Sequence, residues 1–162
     1  MTTEGRPAVL SREEAAAFAG RVRRDGGTLV FTNGVFDLLH PGHVRYLQRA
    51  RSLGSALMVG VNADASVRRN KGAGRPINPE EERAEVLAAL APVDAVVIFD
   101  EDTPAEIIRA VQPDVLVKGA DWPADRIVGR DTVEARGGRV VLMEVEPGHS
   151  TSAIIERVRG AE

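Results

Sequence analysis

Residues 28–61 read TLVFTNGVFDLLHPGHVRYLQRARSLGSALMVGV, and this stretch contains one complete unit of a fold. Thr28 to Phe31 is a β-branched and aromatic run that ends at the polar Asn33-Gly34 turn. After Pro41-Gly42, the residues Val44, Leu47 and Ala50 recur at helical spacing until Gly54 closes the segment. ALMVGV (56–61) is then a second apolar run. Strand, helix and strand in this order imply a right-handed crossover between parallel strands.

The same alternation continues outward in both directions. Helices are expected over 79–90, 104–111, within 126–137 and over 150–159, with strands over 94–99, 114–118 and 139–145. Upstream, SREEAAAFAGRVRR (11–24) begins with a Ser that can cap a helix and a Glu three residues later, and Asp25-Gly26-Gly27 stops it. Apolar strands separated by helices call for a parallel sheet covered on both faces. The expected fold is a doubly wound, Rossmann-like α/β domain of five parallel strands. At 162 residues and 43% hydrophobic content the chain suits a single domain, with 1–27 as a helical extension and 28–159 as the core. Residues 62–78, rich in Asn, Gly and Arg, read as one long loop.

A net charge of −3 offers no broad attraction for polyanions, so neither nucleic acid nor an anionic membrane is an expected partner, whereas a small anion in a local pocket is compatible. The absence of cysteine excludes disulfides, thiolate metal sites and cysteine nucleophiles. The start, MTTEGRPAVL, has no signal-like apolar segment, and no stretch approaches the ~20 apolar residues of a membrane span, so a soluble cytoplasmic protein is expected. Of 21 basic residues only Lys71 and Lys118 are lysines, which singles out both.

Ligands of doubly wound sheets bind outside the carboxyl ends of the strands, which selects the connections after each strand. The first of these is Asn33-Gly34-Val35-Phe36-Asp37-Leu38-Leu39-His40-Pro41-Gly42-His43. Gly34 permits close backbone approach to a ligand, and the amides after it can point at phosphate oxygens. His40 and His43 lie at the start of a helix, where free N–H groups and the dipole already favour an anion. An isolated HxxH is more often a polar cap or an incidental metal site; the surrounding eleven residues favour phosphate chemistry. No protein-bound metal site is expected, because apart from Asp37 no acid accompanies the pair at a usual ligand spacing.

The pattern Gly34-x-Phe36-Asp37-x-x-His40-x-Gly42-His43 resembles the GxFDxxHxGH signature of the cytidylyltransferase-like nucleotidyltransferases, a branch of the HIGH superfamily. The wider run, through VGVNAD, RRNKGAGRPINPEEER, VVIFDEDTP and VLVKGADW to GHSTSAII, is similar to the bacterial heptose 1-phosphate adenylyltransferases, alone or as the second domain of a bifunctional enzyme. The resemblance spans about residues 28–159. It implies transfer of AMP from ATP to a sugar 1-phosphate, with Mg²⁺ accompanying the nucleotide, and a homodimer. It assigns catalytic roles to His40, His43 and Lys71. Nucleotide contacts fall to the same His40 and His43 and to Asn33, Gly34, Val35, Phe36, Gly42, Lys118, Gly119, Asp121, Ser150, Thr151 and Ser152. Acceptor contacts fall to Asp37, Asn62, Asp64 and Arg83.

Several of these residues have plainer readings: a solvated loop lysine for Lys71, an exposed helix arginine for Arg83, a loop acid for Asp64 and an N-cap for Ser150. Related cytidylyltransferases carry an Arg shortly before the Ser-Thr element, where this chain has Val145-Glu146-Pro147-Gly148-His149, a departure that agrees better with the heptose branch. Another cytidylyl- or adenylyltransferase, or a non-catalytic nucleotide-binding module, are the alternatives. No GxGxxG follows the first strand run and no GxxxxGK[ST] occurs, so neither dinucleotide oxidation nor P-loop chemistry is supported.

Overall fold

The computed structural model describes residues 8–161. Six parallel strands form one sheet: β1 (Ala8–Leu10), β2 (Leu29–Gly34), β3 (Ala56–Asn62), β4 (Ala95–Phe99), β5 (Val115–Gly119) and β6 (Arg139–Met143), in the order β1-β4-β3-β2-β5-β6. From β2 the chain winds outward through β3 to β4, then returns across to β5 and β6. The winding therefore reverses between β2 and β5, and their carboxyl ends flank the crevice where a ligand is expected.

Alternation along each strand divides the core into two faces. Phe31, Met58, Val97, Phe99 and Leu116 point to one side. They meet Ala15 and Ala19 of α1 (Arg12–Arg24), Ile107, Ile108 and Val111 of α5 (Ala105–Val111), and Val133 of α6 (Arg130–Ala135). Val30, Leu57, Val59, Val96 and Val117 point to the other, against Leu47 and Ala50 of α2 (Pro41–Arg51) and Ala84, Leu87 and Ala88 of α4 (Glu80–Ala88). Each fully buried Val, Leu, Ile or Phe contributes roughly 1.5–3 kcal/mol by leaving water. Acids preceding two strands satisfy amides at the start of their neighbours: Asp114 accepts from Leu29 N at 2.8 Å, and Asp94 from Leu57 N at 2.8 Å.

The structure corrects the sequence reading in two places. The sheet has six strands rather than five, because Ala8–Leu10 pairs with β4. The N-terminal segment is thus built into the sheet and α1 packs on α5 and β4; residues 1–7 of the expected extension lie outside the described residues. The expected loop 62–78 contains a helix, α3 (Asp64–Lys71). Its buried residues are only Ser66 and Val67 and no side chain caps it, so it carries no apolar periodicity to detect. The last helix, α7 (Thr151–Arg159), buries none of its residues fully.

Candidate active site

A cavity of about 750 Å³ opens at the carboxyl ends of the strands around the reversal of winding. Its walls come from β2 and the segment after it (Asn33 to Asp37), from β5 and beyond (Lys118, Gly119, Asp121, Trp122), from α2 (His43, Tyr46), from β3 and α3 (Asn62, Lys71), and from the start of α7 (Thr151, Ser152).

The segment after β2 folds back on itself. Phe36 adopts φ 50, a left-handed conformation that is rare for an aromatic residue and is held here by the surrounding packing. Its ring lies over Gly34, where an added Cβ would come 3.0 Å from it, a tight contact that the ring would have to yield to. The same ring meets His43 at 5.5 Å between centroids.

His40 is the N-cap residue of α2, and its carbonyl accepts from the amides of His43 at 3.0 Å and Val44 at 3.3 Å. Pro41 fills the first helical position, and no acid occupies the first turn, so nothing local neutralises the positive end of α2. The two imidazoles stack with centroids 3.8 Å apart and planes 28° apart. Burial, then the neighbouring His40 ring, lowers the His43 pKa to about 4; burial, then His149, lowers that of His40. The Nδ1 atoms of both are buried without a hydrogen-bond partner. Near neutral pH the two stacked rings are therefore neutral, and a phosphate beside them would favour their protonation. His43 lines the cavity directly and His40 stands beside it.

Across the reversal, Lys118 at the end of β5 donates to Asn33 Oδ1 at 2.5 Å. Burial pushes its pKa down to about 8, and no carboxylate pairs with it among the described residues. A buried ammonium without a counter-ion is well matched to an anionic ligand. Gly119 leaves room for the Asp121 carboxylate, whose Oδ1 would lie 2.6 Å from an added Cβ. On the third side, Ser150 caps α7 by accepting from Ala153 N at 3.0 Å, and the Thr151 hydroxyl donates to Leu38 O at 3.0 Å, tying α7 to the segment that leads into His40. The first turn of α7 also lacks acids, so two uncompensated helix starts border the same space. Lys71, at the end of α3, lines this cavity and an adjoining one of about 360 Å³ that it shares with Arg75, Ser152 and Arg159.

The expected acceptor contacts are placed differently. Arg83 is fully buried and absent from the cavity wall. Its guanidinium donates to Asn78 O at 2.9 Å, to Val35 O and Asn62 O at 2.8 Å, and to Asp64 Oδ1 at 2.7 Å. It ties the segment after β2 to the end of β3 and the start of α4, which occupies both its own charge and that of Asp64. Asp37 lines the cavity, but its buried carboxylate accepts from Ile77 N at 2.8 Å and Asn78 N at 2.9 Å and meets Arg75 at 3.3 Å, so its oxygens hold the loop before α4. Asn62 lines the cavity with its amide on Ser66. Sequence reasoning left out Arg75, Tyr46 and His149. Tyr46 hydrogen-bonds Thr32 at 2.9 Å and falls on the same helical face as His43, a spacing visible in the sequence. Arg75 sits in the same polar run as Lys71, and His149 directly precedes the Ser-Thr element.

Comparison with known proteins places this geometry. The chain is 58% identical over 151 residues to the bifunctional protein HldE of Acidiphilium cryptum, covering 93% of this chain and 31% of that protein. It is 51% identical over 158 residues to the bifunctional protein HldE of Wolinella succinogenes, covering 98% of this chain and 32% of that one. The chain thus spans about a third of the length of these curated relatives. Among solved structures, a lipopolysaccharide core biosynthesis protein from Thermoplasma volcanium is 30% identical with a TM-score of 0.62, over 75% of this chain and 98% of that one. The cytidylyltransferase-like family model matches residues 31–157, from the middle of β2 nearly to the end of α7, so every wall of the cavity falls inside it, and the chain belongs to the cytidylyltransferase-like family.

Proposed function

We propose that this chain transfers AMP from ATP to a sugar 1-phosphate, D-glycero-β-D-manno-heptose 1-phosphate, releasing pyrophosphate and forming ADP-heptose for surface polysaccharide. The observation that carries the reading is the stacked His40–His43 pair at the uncompensated start of α2, bordering the same space as the start of α7. The identity to HldE proteins and the sugar-phosphate resemblance of the loops support the acceptor.

A phosphate oxygen of the acceptor attacks the α-phosphorus in line; one P–O bond forms, the bond to the β-phosphate oxygen breaks, and pyrophosphate leaves. The nucleophile is already an anion, so no general base is needed, and the residues act by positioning and charge stabilisation. His40, His43 and the amides at the start of α2 hold the phosphates. Ser152 and the start of α7 take the leaving pyrophosphate, with Lys71 closing from α3. Lys118 supplies the fixed charge on the far wall. Among the described residues no three His, Asp or Glu side chains are grouped to hold a metal ion, so the residues present do not form a cage for Mg²⁺, and we expect it to enter as the counter-ion of ATP. Among the described residues no helix is long and apolar enough to cross a membrane. We expect a homodimer acting in the cytoplasm, to be tested by light scattering and fractionation.

The deciding experiment is pyrophosphate release with heptose 1-phosphate and Mg²⁺, offered ATP, CTP, GTP and UTP separately. Release with ATP alone supports the reading. Release with CTP reassigns the nucleotide, and no release with any removes this acceptor.

A further inference from the structure

All three histidines of the chain lie in one row of rings. Beyond the His40–His43 stack, His149 stands on His40 with centroids 6.0 Å apart and planes only 17° apart, an offset parallel contact. The row links two helix starts, since His40 is the N-cap residue of α2 and His149 directly precedes Ser150, the N-cap of α7. The space between them is filled. A Cβ added at Gly42 would come within 2.9 Å of the His40 ring and 3.2 Å of the His149 Cβ. The Thr151–Leu38 hydrogen bond fastens the same two segments independently of the rings.

We infer that His149 is a positioning residue, whose ring backs His40 against His43 and sets the spacing of the two helix starts that a triphosphate has to bridge. This rests on the phosphate-transfer reading of the site above, although the geometry itself does not. Nothing else among the described residues stacks on that side of His40, so without the His149 ring a side chain with a free face would sample other rotamers. A charge on His149 also opposes a charge on His40, and burial acts on His40 in the same direction. The groups around His149 are few. Its charge reaches His40 at the start of α2 and Glu146 in the connection before α7, and Glu146 also faces Arg45, at 2.6 Å, and Arg49 of α2.

Because the chain has only three histidines, ring-labelled protein gives three imidazole signal sets that can be assigned by single substitutions. The test compares His149→Ala and His149→Phe by histidine ring NMR titration of the free protein, melting temperature, and steady-state turnover with ATP. His149→Phe should keep the stack, hold kcat within about twofold, and move the His40 titration midpoint upward because the neighbouring charge is gone. His149→Ala should change the His40 ring shifts and lower kcat by ten- to a hundredfold, the order expected for a misplaced catalytic group, with a melting temperature close to that of the parent. Unchanged His40 shifts and midpoint in both variants would overturn the inference. Equal loss of kcat in both would also overturn it, since the imidazole would then be needed for itself. The spectra require no substrate, so they stand even if the acceptor named above is another sugar phosphate.

Discussion

Replacing Lys118 by methionine should make the empty protein more stable and the enzyme worse. The Lys118 ammonium is buried at the end of β5, with Asn33 Oδ1 as its hydrogen-bond partner, and its pKa falls from 10.5 to about 8 because burial disfavours the charged form. Each pKa unit corresponds to about 1.4 kcal/mol, so keeping this side chain charged in the folded state costs roughly 3 kcal/mol. Methionine has similar length and no charge, and it forgoes one charge-assisted hydrogen bond of about 1.5 kcal/mol, leaving a net gain of about 1.5 kcal/mol, or roughly 3–6 °C in melting temperature for a chain of this size. The sign depends on pH in a defined way. The folded-state pKa lies below the unfolded one, so between 8 and 10.5 the unfolded chain binds more protons and parental stability rises with pH across that window. The advantage of Lys118→Met should therefore be full below pH 8 and shrink towards pH 10.5. Urea unfolding at pH 7 and pH 10 measures both limits, and ATP titration at pH 7 should show at least tenfold weaker binding or turnover. A variant less stable than the parent at pH 7, or one equally stabilised at both pH values, would show that the buried charge of Lys118 does not oppose folding.

Three other outcomes follow from the same site. Arg83→Met leaves Asp64 and three carbonyl oxygens without their buried donor and should lower stability by about 3–5 kcal/mol, read by urea unfolding, with activity lost alongside it. His40→Ala should cost about 3 kcal/mol or more of transition-state stabilisation, a hundredfold or greater loss of kcat, while circular dichroism shows an intact fold; near-normal turnover would remove His40 from the mechanism. The lowered pKa values of His40 and His43, the latter to about 4, mean that the unfolded chain binds protons more readily below its own value of 6.5; stability should be full above pH 6.5 and fall on acidification towards pH 4, by less in His43→Asn.

Much of the fold was legible because its strands are apolar runs separated by helices of ordinary length. The crevice was less so: which strands flank the reversal of winding depends on the crossover from β4 to β5, and no residue announces it. β1 leaves no sequence signal because three residues at a sheet edge make too short a run, and α3 leaves none because a helix that buries only Ser66 and Val67 has no stripe. At the site, the Asn33–His43 segment and the Ser150–Ser152 element marked two walls that the structure does bring together. Arg83 shows where residue type misleads. Read as a cation it suggests phosphate, whereas its spacing to Ala84, Leu87 and Ala88 places it on the buried face of α4, and that spacing was in the sequence. His149 carries no signal in the sequence, because what matters about it is the approach of two helix starts distant in sequence, which only the folded chain reveals.

In the proposed reaction an acceptor phosphate attacks the α-phosphorus of ATP in this cavity. Its most direct test supplies heptose 1-phosphate labelled with ¹⁸O in the phosphate group, together with ATP and Mg²⁺, and follows the label by ³¹P NMR and mass spectrometry. All label should appear in ADP-heptose, including the bridging oxygen, and none in pyrophosphate. Labelled pyrophosphate, or unlabelled bridging oxygen in the product, would contradict it.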